Sequence, residues 1–88
     1  MLVTLRQLQY AIAVAETGSF SKAADLCAAE QSTVSQQIKS LEDQLGKSLF
    51  DRTKQPIIPT EDGKLVTEQA KEIMEKVNEL IRPFKRKP

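Results

Sequence analysis

Ser19–Glu42, SFSKAADLCAAEQSTVSQQIKSLE, is the stretch whose reading decides the fold. A short helix carrying Ala23, Ala24 and Cys27 leads through a brief turn into a second helix, and small residues where the two cross let their backbones approach closely. Along the second helix Val34, Ile38, Leu41 and Leu45 recur at spacings of four and three, the period of a buried helical stripe. Its other face carries Gln31, Ser32, Thr33, Ser35, Gln36 and Lys39, and no charge falls between Gln31 and Gln37. This pattern reads as a helix-turn-helix. Amides can pair with adenine edges, hydroxyls with bases or phosphates, and a lysine with phosphate or guanine, on a helix whose cross-section fits the major groove.

A polar outer face on an amphipathic helix is ordinarily just a solvated surface. Ser, Thr and Gln are mediocre choices for that purpose, because Glu, Lys and Ala form helix better and keep the surface charged. The composition of this face therefore favours contact with a partner.

Upstream, Thr4 with Gln7 forms a capping box for a first helix, with Leu5, Leu8, Ile12 and Ala15 as its expected buried stripe. Thr17-Gly18 stops that helix. Ser19 or Ser21 then caps the second helix, whose N-terminal amides could also hold a phosphate. Tyr10 and Phe20 supply aromatic core. Downstream, the helix ends at Gly46, and Leu49-Phe50 and Pro56-Ile57-Ile58-Pro59 read as two short extended runs around Arg52-Thr53-Lys54-Gln55, a candidate wing. Arg52 is a candidate phosphate ligand, with pairing to Asp51 or Glu42 as its alternative.

From Glu61 to Phe84 the chain reads as one long helix. Thr60 caps it, and Glu61 and Asp62 put negative charge at the positive end of its dipole. Val66, Ala70, Ile73, Val77, Leu80 and Phe84 are spaced four, three, four, three, four, the seam of a two-helix coiled coil, and Met74 and Ile81 widen the stripe. A helix packing only on its own domain gives a similar pattern. The seam continues past what a small domain could cover, which favours a second copy of the chain. The tail from Lys85 to Pro88 reads as a hinge or simply the end of the chain.

The 88 residues leave room for one small domain with a modest core, so a helix that needs a partner is expected. There is no charged-then-apolar leader and no run approaching a membrane span, so a cytoplasmic, nucleoid-associated chain with no membrane contact is expected. The single Cys27 falls on an apolar helix side and reads as a structural thiol. With no histidine, no cysteine cluster, no glycine-rich loop and no nucleophile motif, the sequence supports neither an enzyme nor a metal or cofactor site. Charge does not help the nucleic-acid reading: the net charge is +1. Residues 1–60 hold Arg6, Lys22, Lys39, Lys47, Arg52 and Lys54 against Glu16, Asp25, Glu30, Glu42, Asp43 and Asp51.

LRQLQYAIAVAETGSFSKAA (Leu5–Ala24), QSTVSQQIKSLEDQLGKSLFDR (Gln31–Arg52) and PTEDG (Pro59–Gly63) together resemble the N-terminal DNA-binding domain of LysR-type transcriptional regulators. The resemblance implies a mainly α fold, a winged helix-turn-helix of three helices plus a short two-stranded wing (1–60), followed by a long dimerisation linker helix (61–84) and a hinge or chain end (85–88). It implies a sequence-specific regulator that binds double-stranded promoter or operator DNA as a homodimer, with a tetramer conceivable for the full-length protein. An effector ligand is expected only in a further C-terminal domain. The implied recognition helix is 31–44 and the wing lies around 52–56. DNA contacts would come from Ser21, Gln31, Ser32, Thr33, Ser35, Gln36, Lys39, Arg52, Lys54 and Gln55, with Lys54 or Gln55 at the wing tip. Dimer contacts would come from Val66, Ala70, Ile73, Val77, Leu80 and Phe84. Glu16, Glu42, Asp43 and Asp51 would lie away from the duplex.

The implied target is an interrupted inverted repeat, with half-sites about one helical turn or a multiple of it apart. The family usually has Arg where this chain has Gln55, which weakens insertion into a minor groove whose negative potential attracts cations. It usually has Ser, Gln and Pro where this chain has Glu30, Gln31 and Ser32, so a looser helix start is expected. The wing DRTKQPIIPTE is similar to that of some oxidant-responsive members, whose sensing cysteines lie outside this region. The remaining alternative is a helical protein-interaction module that dimerises through its coiled-coil helix, with the helix-turn-helix as scaffold.

Overall fold

The computed structural model describes residues 2–85. In chain order the elements are α1 (Leu5–Thr17), α2 (Phe20–Leu26), α3 (Gln31–Leu45), β1 (Phe50–Asp51), β2 (Ile58–Pro59) and α4 (Glu61–Lys85). The strands pair antiparallel, with Phe50 opposite Pro59 and Asp51 opposite Ile58. Three helices and a two-stranded ribbon followed by a long helix are the architecture expected from the sequence. No helix among the described residues is long and apolar enough to cross a membrane.

Local chemistry sets each boundary. The Thr4 hydroxyl accepts the Gln7 N–H while the Gln7 side chain accepts the Thr4 N–H, so two of the orphan donors at the start of α1 are satisfied reciprocally. Gly18 ends α1 at φ +67, and its N–H donates to the Val14 carbonyl. Ser19, not Ser21, caps α2 by accepting the Lys22 N–H at 3.1 Å, and Ser21 is left exposed. At the end of α2 the Ala29 N–H reaches the Ala24 carbonyl at 2.9 Å and the Ala28 N–H reaches Asp25 at 3.3 Å, the two bonds of a Schellman motif. The residue in the left-handed position there is Ala28, at φ +53, where glycine is the usual occupant.

The core is built from Tyr10, Ala11, Ala13 and Val14 of α1, Ala23 and Ala24 of α2, Val34, Ile38 and Leu41 of α3, and Leu49 and Phe50 beside them. Burying Ile38 and Leu41 completely stabilises the fold by roughly 1.5–3 kcal/mol each. On α3 the expected stripe holds except that Leu45 is partly exposed. The stripe on α1 differs more: Leu5 is exposed, Ile12 and Ala15 are half-buried, and the buried set is Gln7, Leu8, Tyr10, Ala11, Ala13 and Val14. The reason is that α1 packs against α2, α3 and α4 at once, so a broad arc is covered rather than one stripe. Buried Gln7 bridges the helices, its amide donating to Gln37 Oε1 at 3.1 Å.

Helix α4 begins under tight steric control. Thr60 Oγ1 accepts the Gly63 N–H at 3.0 Å and donates to the Ser48 carbonyl at 2.7 Å, tying the helix start to the chain before β1. A side chain at Gly63 would place its Cβ 1.9 Å from the Leu49 carbonyl oxygen, so only glycine fits. Gly63, Thr67 and Ala70 are the buried residues of α4, a small-residue face lying against the domain. The expected seam therefore divides. Val66 and Ala70 pack inside the chain, Val77 is half-buried, and Ile73, Leu80 and Phe84 are exposed, Phe84 at 85%. The helix runs through Pro83 to Lys85, one residue past the expected Phe84, and the rest of the expected hinge or chain end, 86–88, lies outside the described residues.

Two substitutions test this account. Ala28→Gly relieves a left-handed residue and should raise stability by up to about 1 kcal/mol, read as a higher midpoint in urea. Gly63→Ala forces backbone apart at Leu49 and should destabilise by about 1–3 kcal/mol in the same measurement. An unchanged midpoint for Gly63→Ala would show that the close approach is not needed.

Candidate nucleic-acid interface

The outer face of α3 is set by what its inner face must do. Val34, Ile38 and Leu41 enter the core, while Gln37, Ser40 and Gln44 turn toward α1 and the N-terminal segment: Ser40 accepts from Gln44 Nε2 at 3.3 Å, and Gln44 Oε1 accepts the Leu2 N–H at 3.0 Å. What remains outside is Gln31, Ser32, Thr33, Ser35, Gln36, Lys39 and Asp43, all exposed. Among the described residues the side chains of Gln31, Ser32, Thr33, Ser35 and Gln36 make no hydrogen bond, so their donors and acceptors are unused. Glu30 is the N-cap of α3 and its side chain caps no amide, which leaves the first N–H groups of the helix open. The looser start expected from Glu30 and Ser32 has this geometric counterpart.

The wing is fixed beside that face by four tethers. Glu42, whose side chain is only 10% exposed, accepts the Leu49 N–H at 2.8 Å and the Arg52 guanidinium at 3.1 Å. Arg52 also lies over the Phe20 ring, 5.0 Å from its centroid, so one side chain links α2, α3 and the wing. At the turn, the Thr53 hydroxyl and then the Thr53 backbone N–H donate to the Asp51 carboxylate and, with Lys54 nearby, hold it below the usual carboxylate range. On the return, the Ile57 N–H donates to the Gly18 carbonyl at 3.0 Å, and a Cβ at Gly18 would lie 2.7 Å from Pro56 Cβ.

The expected contact residues thus fall into two groups. Gln31, Ser32, Thr33, Ser35, Gln36 and Lys39 share the open face of α3, and Lys54 and Gln55 are exposed in the wing with Arg52 at its base. Ser21 is exposed in the first turn of α2. Two acids pair with expected contact cations: Asp43 bonds Lys39 at 3.0 Å, and Glu42 bonds Arg52 at 3.1 Å. Sequence reasoning gave Glu42 no part in placing the wing, although pairing between Arg52 and Glu42 was the alternative it carried. The available signal was a carboxylate one turn before Gly46 with a cation just beyond the following apolar pair.

A model of bacterial regulatory helix-turn-helix proteins of the lysR family matches residues 5–64. Over 78 residues the chain is 41% identical to a hydrogen peroxide-inducible genes activator of Pectobacterium carotovorum subsp. carotovorum, covering 89% of this chain and 26% of that protein. The chain therefore spans about a quarter of the length of the curated relatives it matches. Among solved structures it superposes on the BenM DNA-binding domain in complex with benA site 1 DNA with a TM-score of 0.88 and 36% identity, covering 94% of this chain and 93% of that one. It superposes on Vibrio fischeri DarR in complex with DNA with a TM-score of 0.89 and 32% identity, over 96% of this chain and 29% of that one. By its helix-turn-helix, its wing and the match across residues 5–64, this chain belongs to the lysR family of bacterial regulatory helix-turn-helix proteins.

Proposed function

We propose that this chain is the DNA-binding and dimerisation part of a LysR-type transcriptional regulator. The observation that carries the reading is the uncharged, unbonded polar row Gln31–Gln36 on the open face of α3, with a tethered wing beside it. In this reading α3 enters the major groove, Gln31 and Gln36 read base edges, Ser32, Thr33 and Ser35 contact bases or phosphates, and the wing tracks the backbone. The likeness to the DNA-bound BenM domain over nearly its whole length supports the same use of the face. A gel-shift titration on random DNA at two salt concentrations separates this from a protein-interaction module. A DNA reader weakens steeply as salt rises, because phosphate contacts release counterions; binding that ignores salt, or no binding, counts against it.

Dimerisation follows from the far half of α4. Leu80 and Phe84 are exposed, and nearer the domain Leu45, Leu65 and Ile73 line an apolar groove between α3 and α4. Single exposed apolar residues are ordinary, whereas a continuous row along a projecting helix is what a second copy covers. Two such chains present two recognition helices, which suits an interrupted inverted repeat.

Gln31→Ala and Gln36→Ala should each cost roughly 1–3 kcal/mol on a specific site and little on random DNA. Equal losses on both would reject them as base readers. Ile73→Asp places an unpaired charge in the seam and should dissociate the dimer while leaving the domain folded. Sedimentation showing an undiminished dimer would mean that another surface associates.

A further inference from the structure

The interface is nearly neutral for a local reason. Of its cations, Lys39 and Arg52 are each bonded to an acid, and those acids, Asp43 and Glu42, are sequence neighbours on α3 itself. Lys54 enters no ion pair among the described residues. We infer that Glu42 and Asp43 are internal counter-ions that restrain DNA affinity: Lys39 and Arg52 reach phosphate only by exchanging a carboxylate for it. This inference rests on the DNA-binding reading and deepens it.

The physical step is an exchange rather than a gain. A free lysine meeting a phosphate displaces condensed cations from the DNA, and each such contact adds about 0.9 to the slope of log affinity against log salt. A lysine already paired with a carboxylate must leave that carboxylate unpaired, so the counterion released from the duplex is matched by one taken up by the acid. Lys39 and Asp43 are both exposed and their pair is weak, so the restraint there is modest. The Arg52 pair is stronger, because Glu42 is largely buried and also holds the Leu49 N–H. Binding to arbitrary DNA, which is almost entirely electrostatic, is therefore held down, and the base-reading row on α3 must supply more of the affinity.

The test measures the affinity of the whole chain for a random duplex across a salt series, with circular dichroism confirming the fold of each variant. Asp43→Asn, which breaks no contact other than the Lys39 pair, should raise affinity about two- to fivefold at low salt and steepen the salt slope by up to about one. In a Lys39→Gln background the gain should vanish, because the freed cation is its source. Lys54→Gln in the wild type should flatten the slope more than Lys39→Gln does. An Asp43→Asn gain that persists with Lys39→Gln would overturn the inference, since Asp43 would then act by repelling phosphate directly. An unchanged affinity and slope in Asp43→Asn would overturn it as well. No binding by any variant at low salt would sink both this inference and the DNA-binding reading.

Discussion

The Glu42 carboxylate is the contact on which the arrangement of recognition helix and wing depends. A ribbon of two residues per strand cannot hold itself in place in water. It is held because one largely buried carboxylate on α3 receives both the first N–H of the extended segment and the guanidinium at the base of the wing. Charge-assisted hydrogen bonds of this kind contribute about 1.5–3 kcal/mol. The Asp51 turn and the Ile57 bond to Gly18 then fix the tip and the return. The contacts to the rest of the domain run to α2, to α3 and to the end of α1, so the wing is held against α3 from three sides.

Close approach is the second requirement, and small residues supply it. Ala11, Ala23 and Ala24 are buried where α1 and α2 meet, and Gly63 lets α4 start against the Leu49 carbonyl. A domain of this size has little apolar surface to bury, and shortening the distances between elements is how it fills its core. The cost is local: Ala28 accepts a left-handed backbone so that α2 can end within a turn of α3.

Helix α4 serves two surfaces with one stripe. Its first turns pack a small-residue face, Gly63, Thr67 and Ala70, on the domain, and its later turns carry large apolar residues beyond it. At about 1.5 Å per residue a helix of 25 residues runs close to 40 Å, most of the 50 Å length of the molecule, and Leu80 and Phe84 near its end are exposed. Its far end is therefore uncovered by its own chain.

Much of this was legible in the sequence because it is local. The Thr4 and Gln7 capping box, the stops at Gly18 and Gly46, the Thr60 cap and the stripes of α3 and α4 depend on residues within a turn or two of one another, where periodicity and capping chemistry decide the outcome. The outer row of α3 was legible for the same reason, since an inward stripe of Val34, Ile38 and Leu41 fixes what points out. The tertiary structure alone decided which faces of α1 are covered, because three helices surround it, and that Ser19 rather than Ser21 is the cap. It also decided that Val66 and Ala70 belong to the core while Leu80 and Phe84 do not, a division that one continuous heptad pattern cannot express. And it decided that Glu42 pairs with Arg52: the sequence counts charges, but only the folded backbone brings Glu42 within hydrogen-bonding distance of a residue ten positions away.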